Sequence, residues 1–239
     1  MLEAEQGRLA RAAFVSLVCH LAAGLAMAFI LARGLATNPD LADRLRFLDE
    51  QRWLWRAGWS SWSLAAASVL YFFWALVEAH REDPTASAPL LRRAVPLTVA
   101  AVACDLSAQA IYLWLVPGAP AKALLAWDRR AVLLTGLLAN GLYTTAAGLL
   151  AWACRASYPR WTGAAAALVV AGGAWLSAAA WADSVPGMFW SNILLVPALL
   201  AWQAGVGLTA LRRGGRSAQW HFGFPMPKKL VPKGFVPPR

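Results

Sequence analysis

Long apolar runs punctuated by short charged stretches dominate the chain, and their spacing predicts six membrane-crossing helices at about residues 12–32, 57–78, 94–116, 131–153, 162–182 and 188–211. A helix rises 1.5 Å per residue, so about 20 apolar residues cross a hydrocarbon core of roughly 30 Å. None of the runs alternates in polarity, as the strands of roughly 10 residues in a membrane barrel must. The expected fold class is therefore all-α: a polytopic integral membrane helical bundle. The first run follows Arg8 and Arg11 but is too long for a secretory h-region, and its exit, "ARGLATNPD", is a poor cleavage site. It reads as a retained anchor.

A different pattern lies between the first two spans. Leu41, Leu45 and Leu48 recur at helical spacing with Asp43, Arg44 and Asp49 turned elsewhere, which predicts an amphipathic helix along the interface. Thr37, Asn38 and Pro39 supply its start, with Pro39 at the first helical position and Asp40 near the positive end of the helix dipole. Trp53, Trp55, Trp59 and Trp62 follow and suit an aromatic belt at the headgroup boundary. "FLDEQRWLWRAGW" entering the second span and "AWDRRAVLLTGL" entering the fourth share an order of apolar, Asp, basic, then apolar helix. That weak echo suggests three helical hairpins, the third joined at "DSVPGM".

Composition agrees: 59% of 239 residues are hydrophobic and 14% charged, far too apolar for a soluble domain of this length. Cys19, Cys104 and Cys154 fall in or at the end of apolar runs without C-x-x-C spacing, and are expected as free thiols. The net charge of +10 lies in loops and tail beside a membrane, so anionic lipid headgroups, not nucleic acid, are its expected partner. One side of the predicted topology carries 14 Lys and Arg residues and the other eight. The positive-inside rule then places both termini in the cytoplasm of a cell that holds this chain in its inner membrane. Residues 1–11 are the expected cytoplasmic N-terminus, 12–213 the transmembrane domain, and 214–239 a cytoplasmic tail. The tail has basic residues and prolines, no acidic residue, and Trp220, Phe222 and Phe224 among its aromatics. It suits an extended segment on an anionic leaflet, or the docking of a protein partner.

Helices in lipid associate by close backbone approach and interhelical hydrogen bonds, so small residues mark contacts. The fifth span, with Gly163, Gly172, Gly173 and its alanines, is expected at the centre of the bundle. Pro197 is expected to kink the sixth span, whereas Pro96 lies harmlessly in a first turn.

Of twelve acidic residues only Asp105 falls near a span centre, where a carboxyl costs about 2.5–3.5 kcal/mol on insertion scales and needs an inward-facing partner. Thr98, Gln109 and Tyr112 extend a stripe from it along the third span. Counted at 1.5 Å per residue, His20 of the first span and Asn140 of the fourth reach a similar depth, so one polar layer is expected. Tyr143 and Thr144 continue the face of Asn140, Asn192 and Gln203 share a face of the sixth span, and Ser16 is one turn from His20. These groups either tie the helices together or form a site for a ligand or for acid and base chemistry by Asp105, His20 and Tyr143. His80 reads as an interface residue, His221 lies in the tail, and Asp183 suits a cap or loop.

No metal site is expected, since the three histidines fall at separate depths. Nucleotide, serine-hydrolase, zinc-peptidase and His-box motifs are absent and no lysine lies within a predicted span, so no cofactor is expected. Three functions remain. One is binding, and possible transport, of a small amphipathic or lipid-like molecule in a cavity lined by the first, third, fourth and sixth spans. The second is a cofactor-free membrane enzyme, an isomerase, cyclase or hydratase acting on a lipid or isoprenoid. The third is a scaffold that sequesters a cytoplasmic partner through its tail.

Overall fold

The computed structural model describes residues 2–214. Six helices in it are long and apolar enough to cross a membrane, so the chain is an all-α, multi-pass membrane protein. The first is α1 (Leu2–Phe29), and a short amphipathic α2 (Leu41–Glu50) leads into the second, α3 (Arg52–Ala79). The third, α4 (Ala88–Ala110), runs on into a π-helical stretch, Ile111–Leu115. The fourth is one rod, Ala121–Ala153. Its parts are α5 (Ala121–Val132), a π-helical stretch Leu133–Ala139, and α6 (Asn140–Ala153). The last two are α7 (Arg160–Trp181) and α8 (Val185–Gly214), the latter one helix through Pro197.

These helices outrun the apolar windows because polar and aromatic turns continue them beyond the hydrocarbon. Residues 2–11, expected as a separate segment, are the first turns of α1, with Leu9 and Ala10 buried. The tail and everything expected of it, Trp220, His221, Phe222 and Phe224 included, lie outside the described residues.

Each span packs on its chain neighbours, and α8 returns to α1, so the six close into a ring. A Cβ placed on Gly214 would lie 3.6 Å from Gln6. The start of α1 and the end of α8 therefore share one face of the bundle, here the terminal face. The fifth span, α7, is not central: it stands in the ring between α6 and α8, with Trp161, Trp175 and Trp181 exposed. Its small residues serve two close contacts. A Cβ on Gly172 would meet the Leu195 backbone at 3.1 Å, and one on Gly173 would meet Thr144 Oγ1 at 2.0 Å.

Two apolar cores fill the ring. The one toward the terminal face draws on all six spans and centres on Trp202, whose ring lies 5.6 Å from Phe72 and 5.7 Å from Phe73. The other, at the opposite face, joins Leu31, Phe47, Leu48, Trp55, Trp59, Tyr112, Val116 and Leu124. Trp53 is exposed, but Trp55 and Trp59 are core residues and not members of a lipid-facing belt.

Helix α2 departs from its expected face. Its buried residues are Arg44, Phe47 and Leu48, while Leu41 and Leu45 are only partly covered. It starts at Leu41 with Asp40 as its cap, the carboxylate accepting from the backbone N–H of Ala42 (2.9 Å) and Asp43 (3.0 Å). Arg33 and then Arg46 hydrogen-bond Asp43 and hold its carboxyl down at about 2.

At the terminal face the loops are fastened together. Asp83 accepts from Ser157 Oγ at 3.0 Å, Arg213 donates to the Ser157 carbonyl, and the Arg213 guanidinium lies 5.7 Å from the Tyr158 ring. Hydrogen bonds from Thr85 hold Asp83 below the usual carboxylate range. His80 is buried against Tyr158, and burial lowers its pKa. The three cysteines are free, and burial pushes the Cys154 thiol up to about 12.

Candidate functional site

The expected single polar layer resolves into separate clusters, because the ring puts α4 beside the α5–α6 rod and α1 beside α3 and α8. Asp105 is buried and accepts a hydrogen bond from Thr135 Oγ1 at 2.5 Å. Thr135 sits in the π-helical stretch of the rod. A π turn rotates the following residues relative to an unbroken α-helix, and such turns recur at functional sites. The stretch Ile111–Leu115 is π-helical too, so both helices that flank Asp105 carry one nearby.

Gln109, one turn beyond Asp105, is fully buried, and its amide approaches that carboxyl without reaching hydrogen-bonding geometry. Neither its Nε2 nor its Oε1 has a partner. Tyr143 lies within electrostatic reach of Asp105, and its buried hydroxyl is also unpartnered. Thr98 belongs elsewhere, its hydroxyl donating to the Ala94 carbonyl of its own helix at 2.8 Å.

His20 does not meet Asp105 in a shared hydrogen bond. Its Nδ1 lies 2.7 Å from the Ser16 carbonyl, which can only accept, so this nitrogen carries the proton. Ser16 Oγ accepts from Gln203 Nε2 at 2.9 Å and lies 3.2 Å from Ser68 Oγ. This second cluster joins α1, α3 and α8.

Asn140 forms a third contact, donating to the Gly173 carbonyl at 2.6 Å and to Ser177 Oγ at 2.9 Å. It ties the rod to α7, and Thr144 packs on Gly173 at the same seam. Asn192 and Gln203 do not share a buried face. Asn192 is exposed and donates to the Met188 carbonyl one turn back, whereas Gln203 is fully buried. Asp183 closes the α7–α8 turn with φ 54° and accepts from Arg129 at 3.0 Å.

Tyr112, expected on the polar stripe, is instead an aromatic anchor. Its ring stacks on Trp59 at 4.0 Å and 9°, with Trp55 edge-on at 5.9 Å. Its backbone carbonyl is among those a helix end leaves without an intrahelical donor. Trp55 Nε1 donates to it at 2.6 Å, and Arg56 Nε donates to the next, that of Leu113, at 3.2 Å.

Behind these rings lies a buried ion pair that sequence reasoning missed. Arg44 of α2 binds Asp128 of α5, both nearly inaccessible, and its Nε donates to the Gly34 carbonyl at 3.2 Å. An arginine on a short amphipathic helix looks solvated until tertiary structure shows what covers it. The Asp of the echo in "AWDRR" was the available signal, but its counterpart Asp49 only pairs with Arg52 on the surface.

The first, third, fourth and sixth spans do not enclose one cavity, since α3 and α7 complete the ring between the two pairs. A hollow of about 250 Å³ opens at the end of α1 beside Arg33 and Phe47, and its lining includes neither Asp105 nor Gln109. Leu106, next to Asp105 in α4, and Leu138 of the rod are 40% and 49% exposed on the outer surface of the ring. Among the described residues no group of His, Cys, Asp and Glu could hold a metal ion. Comparison with family models, with curated proteins and with solved structures finds no match to this chain.

Proposed function

We propose that this membrane protein binds a small amphipathic or lipid-like molecule whose polar end enters from the bilayer between α4 and the α5–α6 rod. There it meets Asp105, Gln109, Thr135 and the hydroxyl of Tyr143. The observation that carries this reading is Gln109: a fully buried amide with neither its oxygen nor its nitrogen partnered. An unsatisfied buried donor or acceptor costs about 1–3 kcal/mol, and a ligand's polar group removes that cost. Lateral access fits a ligand that travels in the membrane.

The competing enzymatic reading keeps Asp105 as an acid and Tyr143 beside it but loses His20, whose contacts are with Ser16. The positive-inside rule places the terminal face, with Arg81, Arg92, Arg93, Arg155, Arg160, Arg212 and Arg213, in the cytoplasm.

Mass spectrometry of an organic extract of purified protein tests the binding reading. One apolar species is expected at near-stoichiometric yield from the wild type and at strongly reduced yield from folded Asp105→Asn and Gln109→Leu proteins. Equal recovery from all three overturns it. Chemical conversion of that species on incubation favours the enzyme.

A further inference from the structure

We propose that the ligand of this site presents a carbonyl-type oxygen, as a ketone, quinone or ester does, and that Trp59, Trp62 and Gln109 donate to it. This rests on the binding reading above. Trp59 and Tyr112 stack across the α3–α4 contact at 4.0 Å. The two helices are antiparallel, so Trp62, one turn after Trp59, and Gln109, one turn before Tyr112, both lie a turn deeper toward the membrane centre. Trp62 packs on the same aromatic cluster as Trp59 and Tyr112. Whereas Trp55 spends its N–H on the Tyr112 carbonyl, the indole N–H groups of Trp59 and Trp62 are buried and have no partner.

The unpartnered groups along this seam are lopsided in kind. An indole nitrogen only donates, and an amide nitrogen carries two N–H bonds. Beside the Asp105 carboxyl, which the Gln109 amide approaches, the unpartnered groups of this seam are four N–H bonds from Trp59, Trp62 and Gln109 against one unpartnered acceptor, the Gln109 oxygen. None of these N–H groups reaches a backbone carbonyl, unlike the indole N–H of Trp55. A carbonyl oxygen has two lone pairs and no proton, and so complements this set. A primary ammonium brings three more donors and does not. Asp105 is the one group on α4 that would attract a cation, and its Oδ1 is turned to Thr135 of the rod, not to the tryptophans of α3.

The test uses full-length protein in detergent with three probes of equal chain length: 2-undecanone labelled with ¹³C at the carbonyl, undecane and undecylammonium. The wild type is expected to bind the ketone more tightly than the other two, and the infrared carbonyl stretch of the bound ketone to fall below its value in empty micelles. Trp62→Phe keeps the ring and removes the N–H. It is expected to weaken ketone binding roughly three- to tenfold with undecane unaffected, as loss of one hydrogen bond implies. Gln109→Leu is expected to do the same, and thermal melting confirms that each variant is folded. Tighter binding of the ammonium overturns the carbonyl assignment while leaving the binding reading intact. Ketone binding indifferent to Trp62→Phe and Gln109→Leu overturns the placement. If no probe binds and no molecule is extracted from the native protein, both readings fail together.

Discussion

Replacing Asp128 by Leu isolates the structural role of the ion pair beneath α2. Arg44 is 4% exposed, and without Asp128 its guanidinium keeps only the Gly34 carbonyl as a partner. Removing one member of a buried pair costs about 3–5 kcal/mol, because the other charge stays desolvated and uncompensated. In a chain of this size each kcal/mol moves Tm by roughly 2–4 °C, so Asp128→Leu is expected to lower Tm by about 6–20 °C. Replacing both partners, Arg44→Met with Asp128→Leu, removes the stranded charge and is expected to recover most of the loss. Asp49→Leu is the control. Its pair with Arg52 is exposed on both sides, where water and salt screen the attraction, so little change is expected. A thiol-reactive dye reads the melt once the partly exposed Cys19 and Cys104 are replaced by Ser in every variant, since Cys154 is buried and free until the bundle opens. If Asp128→Leu melts within about 2 °C of the wild type, against the several degrees that a stranded buried charge implies, the pair does not hold α2 down. A double variant no more stable than the single one would refute the argument equally.

Three other outcomes follow from particular contacts. Gly173→Val is expected to destabilise the protein by about 1–3 kcal/mol through overpacking against Thr144, and Thr144→Ala in the same chain to restore part of it, measured by melting. Asn140→Leu severs the hydrogen bonds to Gly173 and Ser177 and is expected to cost about 0.6–1.7 kcal/mol, the range of interhelical polar contacts in membranes; no loss would show the seam is held by packing alone. For His80, burial lowers the folded pKa below 6.5, so the unfolded chain binds more protons as pH falls through that value. Stability is then full above pH 6.5 and declines below it. Asp83, Arg213 and Tyr158 face this histidine, and Asp83 keeps its charge through the window because its own pKa is depressed. Tm measured between neutral and mildly acidic pH is expected to fall less in His80→Gln than in the wild type; parallel curves would count against the assignment.

Six spans were legible because bilayer thickness and helical rise make apolar run length a direct ruler. Helix ends were not, since α1 continues through Glu3, Glu5 and Arg8, polar residues that no apolar window includes. Counting residues also gives the depth of a side chain but not its lateral neighbours. His20, Asp105 and Asn140 were matched by depth, yet their hydrogen bonds go to Ser16, Thr135 and Gly173, residues chosen by the order of helices around the ring. Thr135 itself was invisible because its orientation depends on a π turn, which has no compositional signature in "LLTGLLA". Arg44 misled for the same reason as His20: amphipathic spacing describes a helix in isolation, and α2 buries a charge only because Asp128 waits beneath it.

Native mass spectrometry of the protein released from nanodiscs formed directly from its own membrane tests the central claim most directly. The wild type is expected to retain one small apolar molecule as a discrete added mass, and Gln109→Leu, equally folded, to lose it. A wild-type spectrum showing only polypeptide and bulk phospholipid would contradict the account, as would the same added mass undiminished in Gln109→Leu.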